Sequence, residues 1–344
     1  MSKVILPIEE KPLFLSRYES SVYFSVIQAQ ANKHEKDITP WLAGLMANYQ
    51  HSTRFRWEYD TIKRMDWYAN QKLFFKKFYR YDNRMPALNG LEIKNLLIHS
   101  LRQGKYVHLQ MNTFFLPNDV SYQAYHRAVE CLLYGFDDDN QEFYFIRFFP
   151  SKPITLCTAS FDDVLNAVCK KEDHQIILDI LQFNEDFTFR LDEKTLYNDL
   201  YDFLHSTRQI PQMTPNCDIQ YGVESLNRFR DYISKIGVYY EYMDRKYFSS
   251  FYDFQTIIYI RYRYLKENGY LLTDNSDQQE SKLPILSKQF LMDCITFNQT
   301  QNGKLLKEII RIFNEIAEID IHLSQIMLNS LRRHIELGQK NDLT

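Results

Sequence analysis

The sequence predicts an α+β chain in which a part built on an antiparallel sheet precedes a largely helical part. Three observations carry this. Two apolar, aromatic runs, 128–136 and 142–149, flank Asp137-Asp138-Asp139-Asn140-Gln141, a turn-type cluster that reads as a hairpin. From Leu196 onward the texture is almost entirely helical, and Leu305, Ile309, Ile312, Ile316, Ile319, Leu323 and Ile326 recur at three- and four-residue steps. The chain has 344 residues, room for one large domain or two ordinary ones at ~100–200 residues each. A chain of that size buries enough apolar surface to fold without staples.

Taken in order, Val4-Ile5-Leu6 is cut short by Pro7, too brief a run for a signal peptide. Residues 20–31 read as a helix with Val22, Ser25, Val26 and Ala29 on one face. Thr39-Pro40-Trp41 is a helix start, with Thr39 as N-cap, Pro40 at the first position, and Trp41, Leu42, Leu45 and Met46 as the apolar stripe. Residues 50–85 are aromatic and basic, with nine Lys or Arg against four acids. Residues 91–103 form a helix stopped by Gly104. Residues 106–115 form a strand, residues 116–119 a turn, and residues 161–169 a helix capped by Ser160. In the second part, residues 222–233, 248–268 and 304–333 are long helices, and residues 273–284 form a polar connection. The expected division is residues 1–190, residues 191–337, and a frayed tail at 338–344.

Composition narrows the function. Hydrophobic residues make up 45% and charged residues 25%, ordinary globular usage. Nine glycines stand against about 24 at an average of ~7%, and Phe, Tyr and Trp reach 15%. The core is therefore bulky, and many Tyr hydroxyls need polar partners. A net charge of −3 argues against a nucleic-acid-binding surface, which is strongly basic. No apolar run approaches the ~20 residues of a membrane span, so no membrane partner is expected. The five cysteines, Cys131, Cys157, Cys169, Cys217 and Cys294, are widely spaced. They read as reduced thiols in a cytoplasmic protein.

Local motifs exclude several chemistries. The glycines are too far apart for a dinucleotide fingerprint, a P-loop or a nucleophile elbow. No histidine pair has the spacing of two zinc ligands on one helical face. No metal and no cofactor is expected. The Asp137–Asp139 run lacks the alternating oxygen ligands of a calcium loop and reads as a plain turn. The basic stretch 50–85 has two readings. Its aromatics are core and its charges solvated, or it docks an acidic partner, either nucleic acid or an acidic carrier protein, with Lys72, Lys76, Lys77 and Arg80 as the carrier-docking residues.

One segment carries a resemblance. Gly104-Lys-Tyr-Val-His-Leu-Gln-Met-Asn-Thr-Phe-Phe-Leu-Pro117, continuing through Tyr125-His126 to Tyr134-Gly135-Phe136-Asp137-Asp138, resembles the butirosin biosynthesis protein H family. Tyr221-Gly222-Val-Glu-Ser-Leu and the long helices after it resemble the second part of such proteins. The resemblance implies a papain-like fold over residues 1–190. It also implies a role in antibiotic or peptide biosynthesis, as an acyltransferase that moves an acyl group from a carrier-protein thioester to an amine. The partner it implies is an acyl or peptidyl carrier protein. The chemistry of such a site joins a thiolate nucleophile, a His that moves protons and an acid that orients the His.

The chain departs from this pattern at each expected place. The nucleophile position, at the start of the first helix, offers Ser20 and Ser21, since no cysteine precedes Cys131. The expected His position holds Val129, and the expected acid position on the returning strand holds Arg147. His126 lies three residues before Val129, an offset that strand alternation turns to the opposite face. Ser21 with His126 is the catalytic pair left to consider. The plain alternative is that Ser21 caps a helix and His126 makes a structural hydrogen bond. Cys131 sits among apolar strand neighbours, where a buried thiol is inert. Two functions follow: a protein acting on or binding a carrier-tethered acyl or aminoacyl thioester, or a scaffold that kept the fold and lost the chemistry.

Overall fold

The structure is a computed structural model and describes residues 3–15, 19–45, 50–54, 58–60, 73–81, 88–117, 119–149, 152–169, 178–207, 218–236, 242–243, 245–271 and 277–341. In chain order the elements are β1 (Lys3–Ile5), a π turn (Glu19–Tyr23), α1 (Phe24–Lys33), α2 (Thr39–Ala43), β2 (Gln50–Arg54), β3 (Glu58–Asp60) and β4 (Phe75–Tyr81). Then come α3 (Gly90–Arg102), β5 (Tyr106–Asn112), β6 (Ala128–Asp137), β7 (Glu142–Phe149), β8 (Lys152–Ser160), α4 (Phe161–Cys169) and β9 (Leu178–Phe183). The remainder is α5 (Glu193–His205), β10 (Asp218–Tyr221), α6 (Gly222–Ser234), α7 (Arg245–Glu267), α8 (Asp277–Thr300) and α9 (Gly303–Asn341). The fold is mixed α+β, an antiparallel sheet followed by a largely helical part.

The chain forms two compact units, residues 1–37 with 67–188 and residues 38–66 with 189–344. The division near residue 190 is thus joined by a second exchange, in which residues 38–66 leave the first half for the second unit.

In the first unit the sheet runs β4-β9-β5-β6-β7-β8, antiparallel throughout. β5 pairs with β6 from Ala128 to Leu133, and β1 pairs with it from Gly135 to Asp137. β1 therefore continues the place of β5 along the same strand. Gly135 makes this possible: a Cβ there would lie 2.4 Å from the Val4 carbonyl oxygen. The turn after β6 is closed by Asp137, whose Oδ1 accepts the backbone N–H groups of Asp139 (3.0 Å) and Asn140 (3.1 Å). The other carboxyl oxygen of Asp137 pairs with Lys3 Nζ of β1 at 3.5 Å.

Strand alternation gives the sheet two different faces. One carries Val107, Leu109, Met111, Val129, Cys131, Leu133, Phe143, Phe145, Leu178 and Ile180, packed against Ile93, Leu97 and Leu101 of α3 and Phe161, Val164 and Val168 of α4. α3 starts in a capping box between Asn89 and Glu92, worth ~1 kcal/mol, and stops at Gly104 with φ +74°. Ser160 Oγ accepts the Asp163 N–H at the start of α4. The other face carries Tyr106, His108 and Asp179 and meets the N-terminal segment. Tyr106 Oη donates to the Pro7 carbonyl (2.6 Å) and accepts from Gln30 Nε2 of α1 (2.8 Å). The Tyr23 ring lies 5.8 Å from those of Phe75 and of His108.

The second unit holds a small sheet in the order β10-β2-β3 and the five long helices. Its core includes an aromatic cluster of Phe229, Phe251, Phe290 and Phe313. Arg261 is buried and donates to the carbonyls of Ala43 (3.0 Å) and Leu45 and to Asp199 Oδ2 (3.1 Å). Its guanidinium thereby answers orphan carbonyls at the end of α2. Gly222, with φ +54°, packs so closely that a Cβ would fall 2.0 Å from the Phe203 carbonyl oxygen.

Several sequence expectations need correction. The N-cap of α2 is Ile38, with no side-chain cap, rather than Thr39. Residues 277–284 are not a connection: α8 begins at Asp277 and contains Pro284. Glu280 there pairs with Lys266 (3.3 Å) and Arg263 (3.7 Å) of α7, while Leu283 is buried. α9 runs on to Asn341, through most of the expected tail. The basic stretch 50–85 supplies β2, β3 and β4 and is divided between the two units.

Candidate active site

The site is built on the sheet face that meets the N-terminal segment. Ser20 and Ser21 fall in the π turn ahead of α1, which lies against β7 and β8. π turns recur at functional positions because they interrupt regular helix pairing. Ser21 is fully buried, and its Oγ has no hydrogen-bond partner among the described residues.

His126 does not join it. The residue lies in the loop before β6, exposed, with Nδ1 accepting from Asn112 Nδ2 at 2.9 Å and the ring stacked on Phe114 at 4.3 Å. Among the described residues the polar contact of His126 is to Asn112, so no hydrogen bond links it to Ser21.

Val129 and Arg147, where the resemblance leads one to expect a His and an acid, lie on the face away from α1. Val129 pairs with Met111 and Arg147 with Cys131, so both point toward α3 and α4 rather than α1. A slip of one or two residues would not repair the match, since neither β6 nor β7 contains a histidine. Arg147 instead forms a buried ion pair with Asp119. Asp119 Oδ1 also accepts from the backbone N–H (2.9 Å) and hydroxyl (2.6 Å) of Ser121. Burial pushes the Asp119 carboxyl up, but the Ser121 hydrogen bonds and the Arg147 guanidinium outweigh it and hold it below the usual carboxylate range. Cys131 is buried on this same face, and burial drives its thiol far above the ordinary range. A thiolate there is out of reach.

Of the docking residues, Lys76 is exposed and sits 3.7 Å from Asp186. Lys77 and Arg80 stand on β4 opposite Leu181 and Asp179 of β9. Lys72 lies outside the described residues.

The structure does bring together a histidine and an acid that sequence reading passed over. His108 of β5 and Asp179 of β9 are direct cross-strand partners. His108 Nδ1 lies 3.8 Å from Asp179 Oδ2, ion-pair range rather than a hydrogen bond. Both are buried; the imidazole side chain keeps 11% of its surface open and the carboxylate 4%. The acid thus lies deeper than the ring. A single register row crosses six strands here: Arg80, Asp179, His108, Leu132, Ile146 and Leu156. One sequence signal was available. His108 falls between Tyr106 and Gln110 in the phase opposite to Val107, Leu109 and Met111, which marks a polar face on an otherwise apolar strand.

No family model and no curated protein matches this chain. Among the described residues no helix is long and apolar enough to cross a membrane.

Proposed function

We propose that this chain serves secondary-metabolite biosynthesis in the cytoplasm, where it binds or acts on an acyl or aminoacyl thioester presented by a carrier protein. The observation that supports this reading is the arrangement of α1 and its leading π turn on one face of an antiparallel sheet. That is the layout a papain-like thioester site requires, and the signature segment 104–138 runs through its central strands. If chemistry takes place, it is acyl transfer to an amine, without a cofactor. Lys72, Lys76, Lys77 and Arg80 form the docking residues for the acidic carrier.

The scaffold reading is favoured by a separate observation. The positions where the family keeps its His and acid are held by Val129 and Arg147, both turned away from α1, with Arg147 ion-paired to Asp119. Incubation with an acyl-loaded carrier protein separates the two. Saturable binding with turnover of the thioester supports the enzyme. Binding that leaves the thioester intact supports the scaffold. No binding at low salt removes both.

A further inference from the structure

The loop that joins β5 to β6 has its polarity turned inside out. Thr113, Asp119 and Ser121 are buried, while Val120 is 81% exposed, Tyr125 50% and Tyr122 40%. Folding alone favours the reverse, since apolar side chains gain by leaving water and buried polar ones must be matched by partners. Here the buried polar groups are matched. Asp119 pairs with Arg147 and accepts from the Ser121 N–H and hydroxyl, and the Ser121 hydroxyl also meets that of Thr113. The backbone is tied as well. The N–H groups of Tyr122, Gln123 and Ala124 donate to the carbonyls of Asp119, Phe114 and Ser121, each at 3.0 Å, and that of Tyr125 donates to Ser121 at 3.3 Å. Gln123 is held at φ +53°, a conformation that side chains other than glycine seldom take. A loop anchored in this way presents its outward side chains with little left to order on binding.

We propose that residues 120–126 are a self-association surface, on which a second copy of this chain docks through the same loop about a twofold axis. Charge selects this occupant. Near a twofold axis each side chain faces its own copy, so an unpaired charge there meets a like charge. The chain carries −3 overall, yet no Asp, Glu, Lys or Arg lies between Asp119 and Arg127. Asp119 itself is buried and paired with Arg147. An acidic partner would call for cations in the segment, and it has none. The exposed groups suit a symmetric contact. A Tyr hydroxyl both donates and accepts, so Tyr122 and Tyr125 can each be matched by the same residue of the other copy, with Val120 adding apolar area. Tyr is also a residue type enriched at interfaces. A surface of this length belongs to the small class, below about 1,200 Å² in total, so the dimer is weak and forms with rising concentration.

The test is sedimentation equilibrium of the full chain from low micromolar to near-millimolar concentration. The mass is expected to rise from one chain toward two. Val120→Glu and Val120→Arg each raise the dissociation constant about tenfold or more, because each sets like charges across the axis. An equal mixture of the two variants recovers association, since opposite charges then meet, a readout that mere loosening of the loop would not produce. The urea midpoint reports that each variant is folded. A wild-type chain that keeps the mass of one copy at every concentration overturns the inference and leaves the loop to a different partner. A dimer unaffected by either folded variant, or a mixture that does not recover, overturns the loop-to-loop arrangement. If a charged variant does not fold, Val120→Ser combined with Tyr125→Ser decides, and an unchanged dissociation constant counts against the surface. Carrier binding plays no part in the measurement, so its outcome is independent of the reading above.

Discussion

The two faces of the first unit's sheet make opposite use of buried charge. On the face under α3 and α4, Arg147 and Asp119 are in close contact, and Asp119 is further held by two hydrogen bonds from Ser121. On the face toward the N-terminal segment, His108 and Asp179 stand 3.8 Å apart. The first pair pins the loop that follows β5 to the returning strand β7. The second joins neighbouring strands that are already tied by backbone pairing. The comparison teaches that a buried ion pair is a structural device where removing it frees a loop. Where the sheet already ties the two strands together, the pair has less of the fold to hold.

Breaking the first pair has the largest expected effect. Asp119→Ala leaves Arg147 buried without its carboxylate and costs about 3–5 kcal/mol, read as a lower midpoint in urea unfolding. The pH sign follows from the depressed carboxyl of Asp119. Its contribution is fully present above the unfolded carboxyl value of ~3.9 and is lost as pH falls through the lower folded value. Asp119→Asn should therefore remove part of the acid-side slope of stability. An intermediate effect is expected for Tyr106→Phe, which leaves Gln30 Nε2 and the Pro7 carbonyl without that partner, at about 1–3 kcal/mol. The second pair should behave differently. Replacing both His108 and Asp179 by Leu is expected to leave stability within about 1 kcal/mol of wild type or to raise it, in the same urea assay. A loss as large as that of Asp119→Ala would erase the distinction between the faces. The smallest effect is expected for His126→Ala, an exposed side chain, within about 0.5 kcal/mol.

Much of the fold was legible because its signals are local. The β6–β7 hairpin announces itself through the Asp137–Gln141 turn, and α3 through its periodic apolar residues and Gly104. β4 was hidden because an edge strand tolerates Lys and Arg, so its basic residues read as a solvated face. α8 was missed because its first turns are polar for a tertiary reason, the pairing of Glu280 with α7. The membership of residues 38–66 in the second unit rests on contacts such as Arg261 to Ala43 and Leu45. Such contacts leave no periodic trace. The site followed the same rule. Ser21 and His126 were chosen from their nearness to expected positions, whereas His108 meets Asp179 through a strand register that no local pattern encodes.

Calorimetric titration of the chain with an acyl-loaded carrier protein at low salt decides whether the basic residues of β4 dock a carrier. Saturable binding is expected, and it disappears when Lys76, Lys77 and Arg80 are replaced together by Glu. A flat titration of the wild-type chain, or equal affinity for the charge-reversed variant, would contradict it.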